Sequence, residues 1–218
     1  MLTGLRTRLR HSRAGTPSPG EIHAEEDGWS PDADVEVEFA AYAEDCRIFG
    51  FWRHGAERMS DALNQAEAYG LKDVLVAALD DGRTMEAREL MLPRDELVAV
   101  RAAGTRGNVA RRTRVRPSPI TLQAGPYVIH GYIHAPPGAD PLRHIRQRKP
   151  LVPLTEAWIE YASSGQPHRG RVGVIIVNVD WMEWVRMSRD DEVRLPGLSA
   201  EAAIDPRAKD LTGYIHTS

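Results

Sequence analysis

The feature that most constrains this chain is an order of segments that occurs twice. Phe49-Gly50-Phe51-Trp52 is matched by His130-Gly131-Tyr132-Ile133, Leu63 aligns with Ile145, and Leu71-Lys72-Asp73-Val74 aligns with Leu154-Thr155-Glu156-Ala157. Asp95-Glu96-Leu97-Val98-Ala99-Val100 then aligns with Asp180-Trp181-Met182-Glu183-Trp184-Val185, and Ser164-Gly165 takes the place of the turn dipeptide Asp81-Gly82. The intervals drift by only one or two residues from one segment to the next. Self-similarity of this kind marks one supersecondary unit used more than once. It predicts two diverged copies of a β-rich unit of about 60 residues.

The local patterns say what that unit contains. Val35, Val37 and Phe39 alternate with Glu36 and Glu38, the period of a strand with one buried face. Cys46 to Trp52 reads as a second strand with a bend or a close backbone approach at Gly50, and Met59, Leu63 and Ala66 fall at helical spacing between Arg58 and Tyr69. Leu71 to Leu79, Glu86 to Leu92 and Glu96 to Val100 return to β character. Five short strands and one short helix suit a small closed barrel, which hides the edges an open sheet exposes. The expected fold class is mainly β: tandem small β-barrel units, residues 35–104 and 125–188, joined by an Arg/Pro-rich linker at 105–124. The segments 1–34 and 189–218 read as disordered tails, since they offer too little burial to offset the entropy of ordering them.

Charge is segregated in a way that the net value of −3 conceals. Arg6, Arg8, Arg10 and Arg13 precede an acidic block from Glu21 to Asp45 that contains neither lysine nor arginine. A second basic run then spans residues 101–116. Leu2, Leu5 and Leu9 permit an amphipathic helix in the basic start, against the plainer reading of a frayed tail. The apolar run Val174 to Val177 is far too short to span a bilayer, so a cytoplasmic protein is expected. Cys46 is the lone cysteine, which excludes an intramolecular disulfide and suggests a buried thiol.

Arg58, Ser60, Asp61 and Asn64 form the most distinctive polar cluster, with Asp73 as a further member. Arg58-Met59-Ser60-Asp61-Ala62-Leu63-Asn64 followed by Leu71-Lys72-Asp73-Val74 resembles an uncharacterised bacterial family with an R-x-S-D-x-L-N segment ahead of an L-x-D strand. Leu92 to Val98 looks like the second signature of Sm-like proteins, with Asp95 where those have glycine. The resemblance implies an Sm-like or SH3-like barrel scaffold and no particular activity. From the residues alone, the cluster reads either as a site for a small anionic ligand, since a guanidinium fork matches carboxylates and phosphates, or as local capping by Ser60.

Arg111, Arg112, Arg114 and Arg116, with Arg94, offer a stripe for a phosphate backbone, although no aromatic residue is interleaved for base stacking. Pairing with the acidic block and a solvated linker are the competing readings. Arg112 and Arg116 also match the R-x-x-x-R spacing of PilZ barrels, without the companion segment. Trp158, Trp181 and Trp184 suggest a partner groove, against core or edge packing. His130 and His134 are four residues apart, about 13 Å along a strand, too far to share one metal ion. With no catalytic or metal motif and no cofactor fingerprint, the expected role is a non-catalytic binding or adaptor module in bacterial regulation or assembly, with a protein partner. The alternatives are a nucleic-acid-binding barrel and an anionic-ligand sensor at Arg58 and Asp61.

Overall fold

The computed structural model describes residues 35–55, 58–102, 114–147 and 150–201. The first half runs β1 (Val35–Tyr42), β2 (Cys46–His54), α1 (Met59–Gln65), β3 (Ala68–Ala78), β4 (Thr84–Pro93), a 3-10 turn (Arg94–Glu96) and β5 (Ala99–Arg101). The second runs β6 (Arg116–Ala124), β7 (Tyr127–Ala135), α2 (Pro141–Arg146), β8 (Leu151–Ser163), β9 (Gln166–Asn178), a 3-10 turn (Val179–Trp181) and β10 (Met182–Met187), and α3 (Asp190–Val193) follows. The chain is therefore mainly β with few helices, and all the strand pairings are antiparallel.

All ten strands belong to one sheet, in the order β10-β6-β7-β8-β9-β5-β1-β2-β3-β4. Two separately closed barrels are not formed among the described residues, where β4 pairs only with β3 and β10 only with β6. The strand that would close the first half against β4 is β5. One side of β5 is taken by β1, and the other is taken by β9 of the second half.

Two boundaries differ from the sequence expectation. Residues 116–124, expected in the linker, form β6 despite Pro117 and Pro119. Proline lacks the N–H that a ladder needs, yet both prolines lie where β6 pairs with β7 alone, since β10 engages β6 only from Ile120 onward. In the expected C-terminal tail, α3 forms and Ala200 bridges to Arg171. The remaining linker residues and both chain ends lie outside the described residues.

Each half carries a bulge of the same form. The β2–β3 register shifts between Phe49 and Phe51, and the β7–β8 register shifts between His130 and Tyr132. A Cβ on Gly50 would lie 3.1 Å from the Lys72 carbonyl oxygen, and one on Gly131 would lie 3.1 Å from the Leu154 Cβ. Asp73 (φ 48°) and Glu156 (φ 51°), across from these glycines, adopt the left-handed backbone that the extra residue of a bulge requires.

Two hydrophobic clusters form, one centred on each half, and each borrows from the other. Leu151 and Ile176 are buried among the first half's residues, while Tyr42, Leu79, Val98 and Ala99 are buried among the second's. Burying a side chain such as Ile176 contributes about 1.5–3 kcal/mol, so the junction is part of both cores. Polar clamps reinforce it. The Asn178 amide donates to the Leu97 carbonyl at 2.9 Å, the Trp181 indole to Asp95 at 2.7 Å, and the Tyr127 hydroxyl to Ala43 at 2.7 Å.

Candidate functional site

The polar cluster at the start of α1 begins with Arg58, whose extended backbone starts the helix without a side-chain cap. Its carbonyl accepts from the amides of Asp61 and Ala62, so Ser60 is not the capping residue. Asp61 and Asp73 are exposed, and Arg58, Ser60 and Asn64 are half-buried. Asn64 faces the second half. Its side-chain oxygen accepts from the Leu151 amide at 3.1 Å, and its NH2 donates to the Leu151 carbonyl at 2.8 Å and the Ser60 carbonyl at 2.7 Å. The side chain mimics a peptide group and holds the start of β8 as a strand neighbour would.

Of the arginines, Arg114 and Arg116 are exposed ahead of and at the start of β6, and Arg111 and Arg112 lie outside the described residues. Arg94 donates to the Ala66 carbonyl at 3.3 Å, tying the end of α1 to the 3-10 turn.

The three tryptophans take different surroundings. Trp158 is buried on β8, stacked parallel on His130 at 3.7 Å, with the Arg169 guanidinium over its ring at 5.2 Å. Trp181 is committed to the junction through Asp95. Trp184 is 39% exposed on β10 and donates to Gln123 at 2.9 Å.

His130 links a short polar row across the second half. Its Nδ1 lies 2.9 Å from the Thr121 hydroxyl, which lies 2.6 Å from the Ser188 hydroxyl, and its Nε2 is 3.3 Å from Glu160. Burial holds the imidazole below its ordinary pKa, while the Glu160 carboxylate pulls the other way. Thr121 is almost fully buried, which removes it from any substrate. His134 takes a separate partner, Thr155, at 2.8 Å. Among the described residues no group of three or more His, Cys, Asp or Glu side chains is placed to hold a metal ion. No helix among them is long and apolar enough to cross a membrane.

The unusual surface lies at the two ends of the sheet. Among the described residues five large apolar side chains are exposed, and four stand on the terminal strands: Met85 and Met91 on β4, Trp184 and Met187 on β10. Among the described residues neither strand has a second strand neighbour, so each presents backbone N–H and C=O groups on its outer side. Only Trp184 is evident as a candidate from the sequence. The signal for Met91 is that Leu90-Met91-Leu92 breaks strand alternation, which puts apolar residues on both faces of β4. No protein-family model, curated protein or solved structure matches the chain.

Proposed function

We propose that the chain is a non-catalytic binding module of adaptor or assembly type, which takes a protein partner by adding a strand to its open sheet edges. The observation that carries this reading is the concentration of exposed apolar side chains on β4 and β10. Strand addition satisfies the free backbone groups of an edge, and side-chain contacts alongside supply specificity. Large apolar side chains on an open edge are an aggregation liability, so their presence on both ends, among the charged residues of the same strands, favours use over accident.

We infer also that the two halves descend from one ancestral unit, an opened relative of the five-stranded Sm-like or SH3-like barrel. Supporting this, each half runs strand-strand-helix-strand-strand-turn-strand, and the strand orders β5-β1-β2-β3-β4 and β10-β6-β7-β8-β9 correspond.

The test is capture from native cell extract with the tagged full chain, with and without nuclease, comparing wild type with Met91→Lys and Trp184→Lys. Nuclease-resistant protein capture that either substitution reduces at least tenfold is expected. Capture that depends on nucleic acid and is indifferent to both substitutions would instead favour the arginine-based alternative.

A further inference from the structure

The junction between the halves is an occupied example of the contact that the sheet ends lack among the described residues. Strand register settles which residues correspond. Leu71 opposite Leu90 on β3–β4 matches Leu154 opposite Ile175 on β8–β9, and Tyr42 opposite Ala99 on β1–β5 matches Gln123 opposite Trp184 on β6–β10. So β9 stands in the second half where β4 stands in the first, and β10 stands where β5 does. At the junction β9 and β5 pair as Ala99 opposite Val177, Val100 opposite Ile176 and Arg101 opposite Ile175.

Two residues of that pairing cross into the other half's core. Ile176 of β9 is 1% exposed among first-half residues, and Ala99 of β5 is 0% exposed among second-half residues. Their counterparts at the sheet ends are Met91 and Trp184, which are 66% and 39% exposed. The residues beside them behave alike at both places. Val177 and its counterpart Leu92 are each buried in the core of their own half, and Val100 and its counterpart Val185 each pack there too. Thus β4 is oriented as β9 is, and β10 as β5 is. What the terminal strands lack among the described residues is a second neighbour whose core Met91 and Trp184 would enter.

We propose that β4 of one copy of this chain pairs antiparallel with β10 of a second copy, head to tail, with Met91 opposite Val185 and Leu92 opposite Trp184. This rests on the reading of the sheet edges as the binding surface and names the partner. The contact is heterologous, so it repeats from copy to copy and ends only if a ring closes. It is also weaker than the junction it copies. Asn178, whose amide donates to the Val98 carbonyl at 2.9 Å, has Pro93 as its counterpart, which has no N–H to give. Asn64 has Arg146 in its place, so the grip on Leu151 has no equivalent. Association is therefore concentration-dependent.

Gel filtration with light scattering on the full chain tests this, using wild type, Met91→Lys, Trp184→Lys and an equimolar mixture of the two variants. Wild type is expected to exceed the single-chain mass increasingly with concentration, and each variant alone to stay at the single-chain mass. The mixture is expected to give a dimer of one Met91→Lys and one Trp184→Lys chain and nothing larger, because each supplies the edge the other has lost. Trp184→Thr, a strand-favouring replacement, serves if the lysine variant does not fold. Wild type at single-chain mass throughout overturns the proposal, as does a Met91→Lys chain that still self-associates or a mixture that forms no dimer. If wild type stays monomeric while the substitutions still abolish protein capture from extract, edge binding stands and the second copy is not the partner. If neither mass nor capture responds to the substitutions, both readings fail.

Discussion

Asn64 directs all three of its described hydrogen bonds at backbone, two of them across to Leu151. Asn64→Ala strands the amide and carbonyl of Leu151, at a cost of about 2–3 kcal/mol, whereas exposed Asp61→Ala costs under ~0.5 kcal/mol. Urea denaturation of both variants checks this, and similar midpoints for the two would sink it. The Cys46 thiol is pushed up to about 12 by burial and by neighbouring Asp45. It should therefore remain unalkylated by iodoacetamide at pH 8 in the native protein and react once urea unfolds the chain. For His130 the folded-state pKa is depressed, so the unfolded chain takes up the proton first as pH falls. Its contribution to stability is full above about pH 6.5 and is lost as pH drops from there through the folded value. Urea midpoints at pH 8 and pH 5.5 should converge in His130→Gln relative to wild type; an unchanged difference between the two pH values argues against that role.

Strands that alternate, such as β1, were legible because one buried face imposes a period of two. The β6 strand was not, because its prolines read as linker until β10 is seen to join β6 only from Ile120 onward, leaving the proline stretch to pair with β7. Gly50 was legible as a bend or a close backbone approach, and the structure shows the approach, to the Lys72 carbonyl on the next strand. Gly50→Ala and Gly131→Ala each force a methyl to within 3.1 Å of a neighbour. Each should lower stability by about 1–3 kcal/mol in denaturant titration. Loss at Gly131 should be the greater, since its Cβ would meet Leu154, Ala157 and Thr155 atoms at 3.1–3.2 Å. Equal tolerance of alanine at both would show that the bulges can widen. Of the candidate site, Trp184 could be named from sequence, but Met91 could not, since exposure of an apolar residue depends on which strand lies beside it.

Across the whole molecule, the mutual borrowing of Ile176 and Ala99 predicts that the halves unfold together. Fluorescence from Trp52 alone and from Trp158 alone, the other tryptophans replaced by phenylalanine, should give coincident urea midpoints. Separated midpoints would mean the halves are independent. Sequence by itself determined the β character and a bend or close approach at Gly50, because periodicity and residue type are local properties of the chain. Only the tertiary structure decided that the units stay open and join through β5 and β9, because strand pairing is a competition between edges. Among the described residues the same competition leaves β4 and β10 with a neighbour on one side only, and it turns Met91 and Trp184 from ordinary strand residues into exposed ones at the ends of the sheet.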